Sequence, residues 1–220
     1  MSPLGAPYTL SQSQSHITSG PLGPRITFHN AHPTRYISAL APLAPKYDYV
    51  VLSHCIWYFS SPAELTTLIS AVAPCTKSLC LAEWSLRAST PQTQPHVVTA
   101  LLLASLEAKR KEEGSGNIRT VLSPAQIRSM AESSSAIRLA GEEIRAANEG
   151  LLDGYWEVSY TLRKKEKVLK TLGEDGVPEK ELAAMVAMYD AVQATVGILE
   201  GGERGVRSMD VWVARFQVVG

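Results

Sequence analysis

The sequence predicts an α/β domain with a mostly parallel sheet flanked by helices, and three neighbouring stretches predict it. In YDYVVLSHCIWYF (residues 47–59), the run Tyr49-Val50-Val51-Leu52 is short, apolar and uninterrupted, as in a strand buried on both faces of a parallel sheet. Ser60-Ser61-Pro62-Ala63-Glu64 then starts a helix: Ser61 caps it, Pro62 takes the first helical position, and Glu64 reaches back to complete a capping box. Leu65, Leu68, Ile69 and Val72 form one stripe at i, i+3, i+4, i+7, and Ala73-Pro74 ends the helix. A second strand, Ser78-Leu79-Cys80-Leu81-Ala82, runs into Glu83-Trp84. Strand, helix and strand at this spacing make a right-handed crossover with both strand ends on one edge. In open α/β sheets that edge binds ligands.

The flanking elements follow in order. Tyr8 to Ile17 has weak helical periodicity before Gly20-Pro21, and Arg25-Ile26-Thr27-Phe28-His29 reads as a short strand. Tyr36, Ile37 and Leu40 suit a short helix closed by Pro42 and Pro45. Residues 94–111 form a helix with Val97, Val98, Leu101, Leu102 and Leu106 apolar, broken by Gly114-Ser115-Gly116. Ser123-Pro124-Ala125-Gln126 is a second capping box, before a helix carrying Ile127, Met130 and Ala131. Residues 137–144 read as a strand, and the alternation Trp156, Val158, Tyr160, Leu162 reads as another. Leu182, Met185, Tyr189, Val192, Val196 and Leu199 form a narrow helical seam, expected to pack on the body of the domain or otherwise on a partner helix. Gly201-Gly202 and Gly205 end it, and residues 209–218 make the last strand.

The totals narrow the function classes. With 220 residues, 45% hydrophobic, 19% charged and a net charge of +0, the chain is an ordinary globular one, and nothing in the balance points to nucleic acid. Arg163-Lys164-Lys165 with Lys167 is the one basic concentration, read as a solvated face. Cys55, Cys75 and Cys80 lie in no C-x-x-C pair, so no metal site is assigned and a reducing compartment is expected. The start of the chain carries no signal-peptide pattern, and the apolar run at residues 97–106 is too short to span a bilayer. The expected location is the cytoplasm, with no membrane partner.

Candidate site residues gather at the strand ends. His54 follows a strand at the ligand edge, where an imidazole serves as base or hydrogen-bond partner; the alternative is a histidine satisfied by its turn. Glu83 ends the neighbouring strand, where a carboxylate needs solvent or a cationic partner. Trp57, Tyr58 and Trp84 either wall a flat pocket or close the core. Cys55 reads as a small buried hydrophobe, since no sequence signal supplies an activating partner.

The residues DYVVLSHCIWYFSSP and LCLAEWSL, with the end from ANEGLLDGYWEV to GGERGVRSMDVWVARF, resemble class I S-adenosylmethionine-dependent methyltransferases, in particular fungal methyltransferase-like proteins. The likeness covers nearly the whole chain. It implies a truncated Rossmann-like methyltransferase fold with the first two strands missing, in one domain over residues 1–220. Residues 1–46 would be the remnant of the N-terminal half, 47–146 the central unit with lid helices, and 147–220 the C-terminal strands and long helix. It further implies S-adenosylmethionine as cofactor, with contacts from Asn30, His32 and Ser53, and His54 or Glu83 accepting a proton from a small-molecule substrate of secondary metabolism. Trp57, Tyr58, Trp84, His96, Asn117 and Arg119 would bind that substrate, the last three from a lid. The chain departs from the family where the cofactor is held: it has no G-x-G-x-G turn, and no Asp or Glu precedes Asp48. Two further readings therefore stand beside methyl transfer, a cofactor-independent cyclase, isomerase or pericyclase and a non-catalytic partner subunit, with an incomplete gene as a fourth. In the family's strand order, losing two strands leaves residues 50–52 on an open edge, so rearranged strands or a partner, a homodimer or another methyltransferase, are expected to cover it.

Overall fold

The computed structural model describes residues 8–40, 47–110, 118–134 and 136–219. Its centre is a four-stranded sheet in the order β1-β2-β4-β3, formed by β1 (Tyr47–Ser53), β2 (Thr76–Trp84), β3 (Ile137–Arg145) and β4 (Val211–Val218). β1 and β2 run parallel, with Val50 opposite Leu79 and Leu52 opposite Leu81. β4 is antiparallel to both β2 and β3. The α/β class is as read, but only one of the three pairings is parallel.

Helix α3 (Pro62–Val72) makes the β1–β2 crossover, and Leu65, Leu68, Ile69 and Val72 are its buried residues, as the spacing requires. Each such side chain contributes about 1.5–3 kcal/mol on burial. They share a core with Leu79, Leu81, Trp212 and Phe216 of the sheet and Ile127 of α5 (Pro124–Glu132). Ser61 caps α3 through the Glu64 amide, but the Glu64 side chain does not return to Ser61. It accepts instead from the backbone and hydroxyl of Ser60 at 2.9 and 2.8 Å. At α5 the expected capping box closes in full between Ser123 and Gln126.

A second core lies in the helices α4 (Gln94–Glu107), α6 (Asp153–Glu174) and α7 (Glu179–Gly197). The seam of α7 turns inward, with Met185, Tyr189, Val192 and Val196 buried against Leu102, Leu106 and Val158. Burial raises the Tyr189 phenol to about 12. The remaining helices, α1 (Leu10–Thr18) and α2 (Pro33–Leu40), precede the sheet.

Three expectations are corrected. Residues 156–162 are helix within α6, not strand. Val158 and Leu162 pack in the second core, whereas Trp156 and Tyr160 are exposed. Each pair is spaced i, i+4, so two opposite faces of a helix imitate a period of two over this short window. Residues 25–29 form no strand: Gly23–Arg25 is a 3-10 turn, Ile26 is extended, and no described strand pairs with the segment. An extended backbone without a ladder partner remains a loop. β1 is not buried on both faces either. Val50 and Leu52 pack on the core, while Tyr49 and Val51 are each 62% exposed, and β1 ends the sheet with β2 as its one neighbour among the described strands. No rearrangement of the described strands covers that edge. Pro42, Pro45 and the Gly114 to Gly116 break lie outside the described residues.

Gly154 marks where α6 meets the chain before β4. A Cβ there would fall 2.6 Å from the Arg207 carbonyl oxygen, whereas one at Gly141 meets nothing within 4 Å. Gly154→Ala is therefore expected to lower stability by about 1–3 kcal/mol through backbone displacement, and Gly141→Ala to leave it nearly unchanged. Urea denaturation of both variants checks the contrast.

Candidate active site at the strand ends

Both parallel strands end in backbone turns of unusual hand. His54 has φ 48° and Leu86 has φ 56°, a left-handed region that costs non-glycine residues on the order of 1–3 kcal/mol. The His54 amide donates to the Ala82 carbonyl at 2.8 Å, extending the β1–β2 ladder by one bond. Its ring meets the Trp84 ring at 4.3 Å between centroids, and Trp84 meets His96 edge-on at 5.0 Å. Three rings thus form a row, His54, Trp84, His96, drawn from β1, β2 and α4.

Glu83 lies beneath the row, 1% exposed. One carboxylate oxygen accepts from the Ile56 amide at 2.9 Å and the other from the Trp84 amide at 3.0 Å. A buried carboxylate requires such partners, and here they join the turn after β1 to the end of β2. The second oxygen is also 3.7 Å from His54 Nδ1, too long for a hydrogen bond, and Nδ1 is buried without another acceptor or donor. A shift of less than about 1 Å would close that contact, so Glu83 is placed to stabilise His54 when the imidazole takes a proton. Burial first, then the Glu83 charge, push the Cys55 thiol up, which disfavours the thiolate, although the residue is half-buried rather than fully buried as read.

His96, expected in a lid, is instead fully buried in α4. The Met209 amide donates to its Nδ1 at 2.9 Å, which leaves the ring proton on Nε2, and Nε2 donates to Glu157 at 3.1 Å. Glu157 and Asp153 were not among the expected site residues. They are spaced i, i+4 on α6, a signal hidden by reading this stretch as a strand. Burial first, then the charges of Glu157, Asp153 and Glu83, raise the Tyr58 phenol, so Tyr58, half exposed, shares the electrostatic neighbourhood of all three carboxylates.

The other expected residues divide. Trp57 is core: it is 2% exposed, its indole donates to the Leu122 carbonyl, and its own carbonyl accepts from the Arg119 and Thr120 amides. Arg119 reaches the Tyr58 carbonyl at 3.5 Å, and the hydrogen bonds that Glu83 accepts come from the Ile56 and Trp84 amides. Asn117 lies outside the described residues. Ser53 is exposed at the end of β1 next to His54. Asn30 and His32 are exposed before α2, and His32 pairs with Glu64 at 3.0 Å, committing its ring to the start of α3. A shallow depression along α5 shares no residue with this group, and Arg128 within it already pairs with Glu132 and Glu142.

Among the described residues, the crowded glycines are crowded by their own chain, Gly23 by Thr18, Gly154 by Arg207 and Gly205 by Glu200, and the strand-end turns are occupied by His54 and Leu86. A side-chain test of the site follows from Glu83. In Glu83→Gln the new amide group faces one of the two backbone donors, leaving it unpaired, at a cost of about 1–3 kcal/mol. Thermal melting is expected to show a midpoint lower by several degrees, against little change in His54→Ala.

No protein-family model matches the chain. Two relatives from Diaporthe leptostromiformis, named methyltransferase phomM′ and methyltransferase phomM, are each 27% identical over 248 aligned residues. The match takes in 97% of this chain, which spans 62% of the length of each relative. Among solved structures, a cyclopropane-fatty-acyl-phospholipid synthase-like protein from Lactobacillus casei superposes with a TM-score of 0.74 at 24% identity. That likeness covers 97% of this chain and 71% of the other, and it is one of fold. In sequence the chain is thus similar to these two fungal methyltransferases, and its four-stranded sheet with flanking helices shares the fold of the bacterial protein.

Proposed function

We propose that the strand-end group is the acceptor side of a methyl-transfer site acting on a small molecule of secondary metabolism. The observation that carries this reading is the His54–Glu83 arrangement: a partly exposed imidazole at the ligand edge, with a buried, ionisable partner 3.7 Å away. In this reading His54 accepts the proton released by the substrate nucleophile, Glu83 steadies the resulting imidazolium, and Tyr58 lines the approach. S-adenosylmethionine would supply the methyl group. Its cradle would come from residues other than those of the strand ends, and the open edge of β1 leaves a place for a homodimer or a methyltransferase partner to contribute. A second reading, favoured by side chains rather than glycines at both strand-end turns, is a cofactor-independent cyclase, isomerase or pericyclase using the same row of rings.

Calorimetry with S-adenosylmethionine, with the mass in solution recorded on the same sample, separates the two. Saturable binding by a dimer is the expected result. A folded monomer that does not bind would remove methyl transfer by this chain alone and leave the cofactor-free reading or a supporting subunit. Where turnover is found, His54→Ala is expected to reduce kcat by on the order of 100-fold or more with the fold intact.

A further inference from the structure

Helix α6 has an outer face that the fold leaves uncovered. Leu152, just before the helix, Trp156 and Tyr160 are spaced i, i+4, i+8 and are 44%, 59% and 45% exposed. Arg163, Lys167 and Lys170 continue the same line at spacings of three and four, all exposed, with Lys164 beside them, 5.7 Å over the Tyr160 ring. The opposite side of the helix carries buried Val158, Thr161 and Leu172, and Lys165 turns away to Asp190. Two acids lie near the basic end, Glu174, 3.8 Å from Lys170, and Glu166 on the flank. The face is therefore aromatic at one end and basic at the other.

We propose that this face docks an acidic polypeptide segment, with an apolar residue of the partner on Trp156 and Tyr160 and its carboxylates against Arg163, Lys164 and Lys167. Tryptophan, tyrosine and arginine are the side chains that dominate protein interfaces, and a basic flank selects acidic partners and speeds their encounter. The axial division argues against a lipid surface, because a helix lying in a bilayer interface needs an apolar side along its length. The aromatic end adjoins Asp153 and Glu157, the carboxylates that act on Tyr58, so a docked segment arrives beside the strand-end group. This inference does not depend on methyl transfer.

The tryptophans supply a local probe, since Trp57, Trp84 and Trp212 are buried and Trp156 is exposed. The intact chain is titrated with a synthetic peptide carrying a Leu-Leu pair beside a run of glutamates, and with the same peptide bearing glutamines. Vesicles of phosphatidylserine and phosphatidylcholine form a third arm. Expected are a saturable blue shift with the glutamate peptide, at least about tenfold weaker binding of the glutamine peptide, and weakening by salt. Arg163→Glu with Lys167→Glu should weaken binding about tenfold while leaving circular dichroism unchanged, and Trp156→Ala should remove the shift. No saturable shift, equal binding to the glutamine peptide or by the charge-reversed variant, or binding to vesicles in place of peptide would overturn the proposal. S-adenosylmethionine binding is measured separately, so the two ideas fail independently.

Discussion

The Glu83 carboxylate is the contact on which the rest of the strand-end geometry depends. Each parallel strand stops and turns through a left-handed residue, and such turns leave backbone amides without ladder partners. One carboxylate accepts two of them, from the turn after β1 and from the last residue of β2. Once Ile56 is fixed, the short 3-10 turn Ile56–Tyr58 sets Trp57 into the core, and the carbonyl of Trp57 then anchors the chain at Arg119 and Thr120. The same oxygen that holds the Trp84 amide faces His54 Nδ1. Position and chemistry are therefore not separable at Glu83: the group that would stabilise a charged His54 is also the group that keeps the two strand ends in register.

A second linkage joins the two cores. Trp84 belongs to the sheet core, and its edge-on neighbour His96 stands on α4, whose Leu102 and Leu106 belong to the helical core. His96 accepts a hydrogen bond from the Met209 amide and donates one to Glu157 on α6. Because both ring nitrogens are engaged, the tautomer and the ring plane are fixed together. Glu157 is thereby held by a buried donor whose ring is fixed from both sides. The row of rings thus transmits the position of α6 to His54 through direct contacts.

What was legible in the sequence was what local chemistry determines. The capped starts of α3 and α5, the buried stripe of α3 and the inward seam of α7 all follow from side chains within a few residues of one another. The misreadings arose where tertiary context decides. Trp156 and Tyr160 imitated one face of a strand only because nothing covers them, and Ile26 to His29 has strand composition but no strand beside it. The site divided in the same way. His54, Trp84 and Glu83 could be placed at one edge from the crossover rule, since topology puts them there. His96 could not be distinguished from a lid residue, because its burial depends on Met209, far along the chain, and Glu157 was hidden by the misread helix.

The strand-end turns carry side chains in a backbone region that glycine enters more easily. A ligand that lies along the backbone needs positions without a Cβ, so that carbonyls and amides approach it directly. Here the two turns over the strand ends are occupied by an imidazole and a leucine side chain, in conformations that glycine would adopt at lower cost. Side chains at both turns mean that this edge presents an imidazole and a leucine rather than bare backbone.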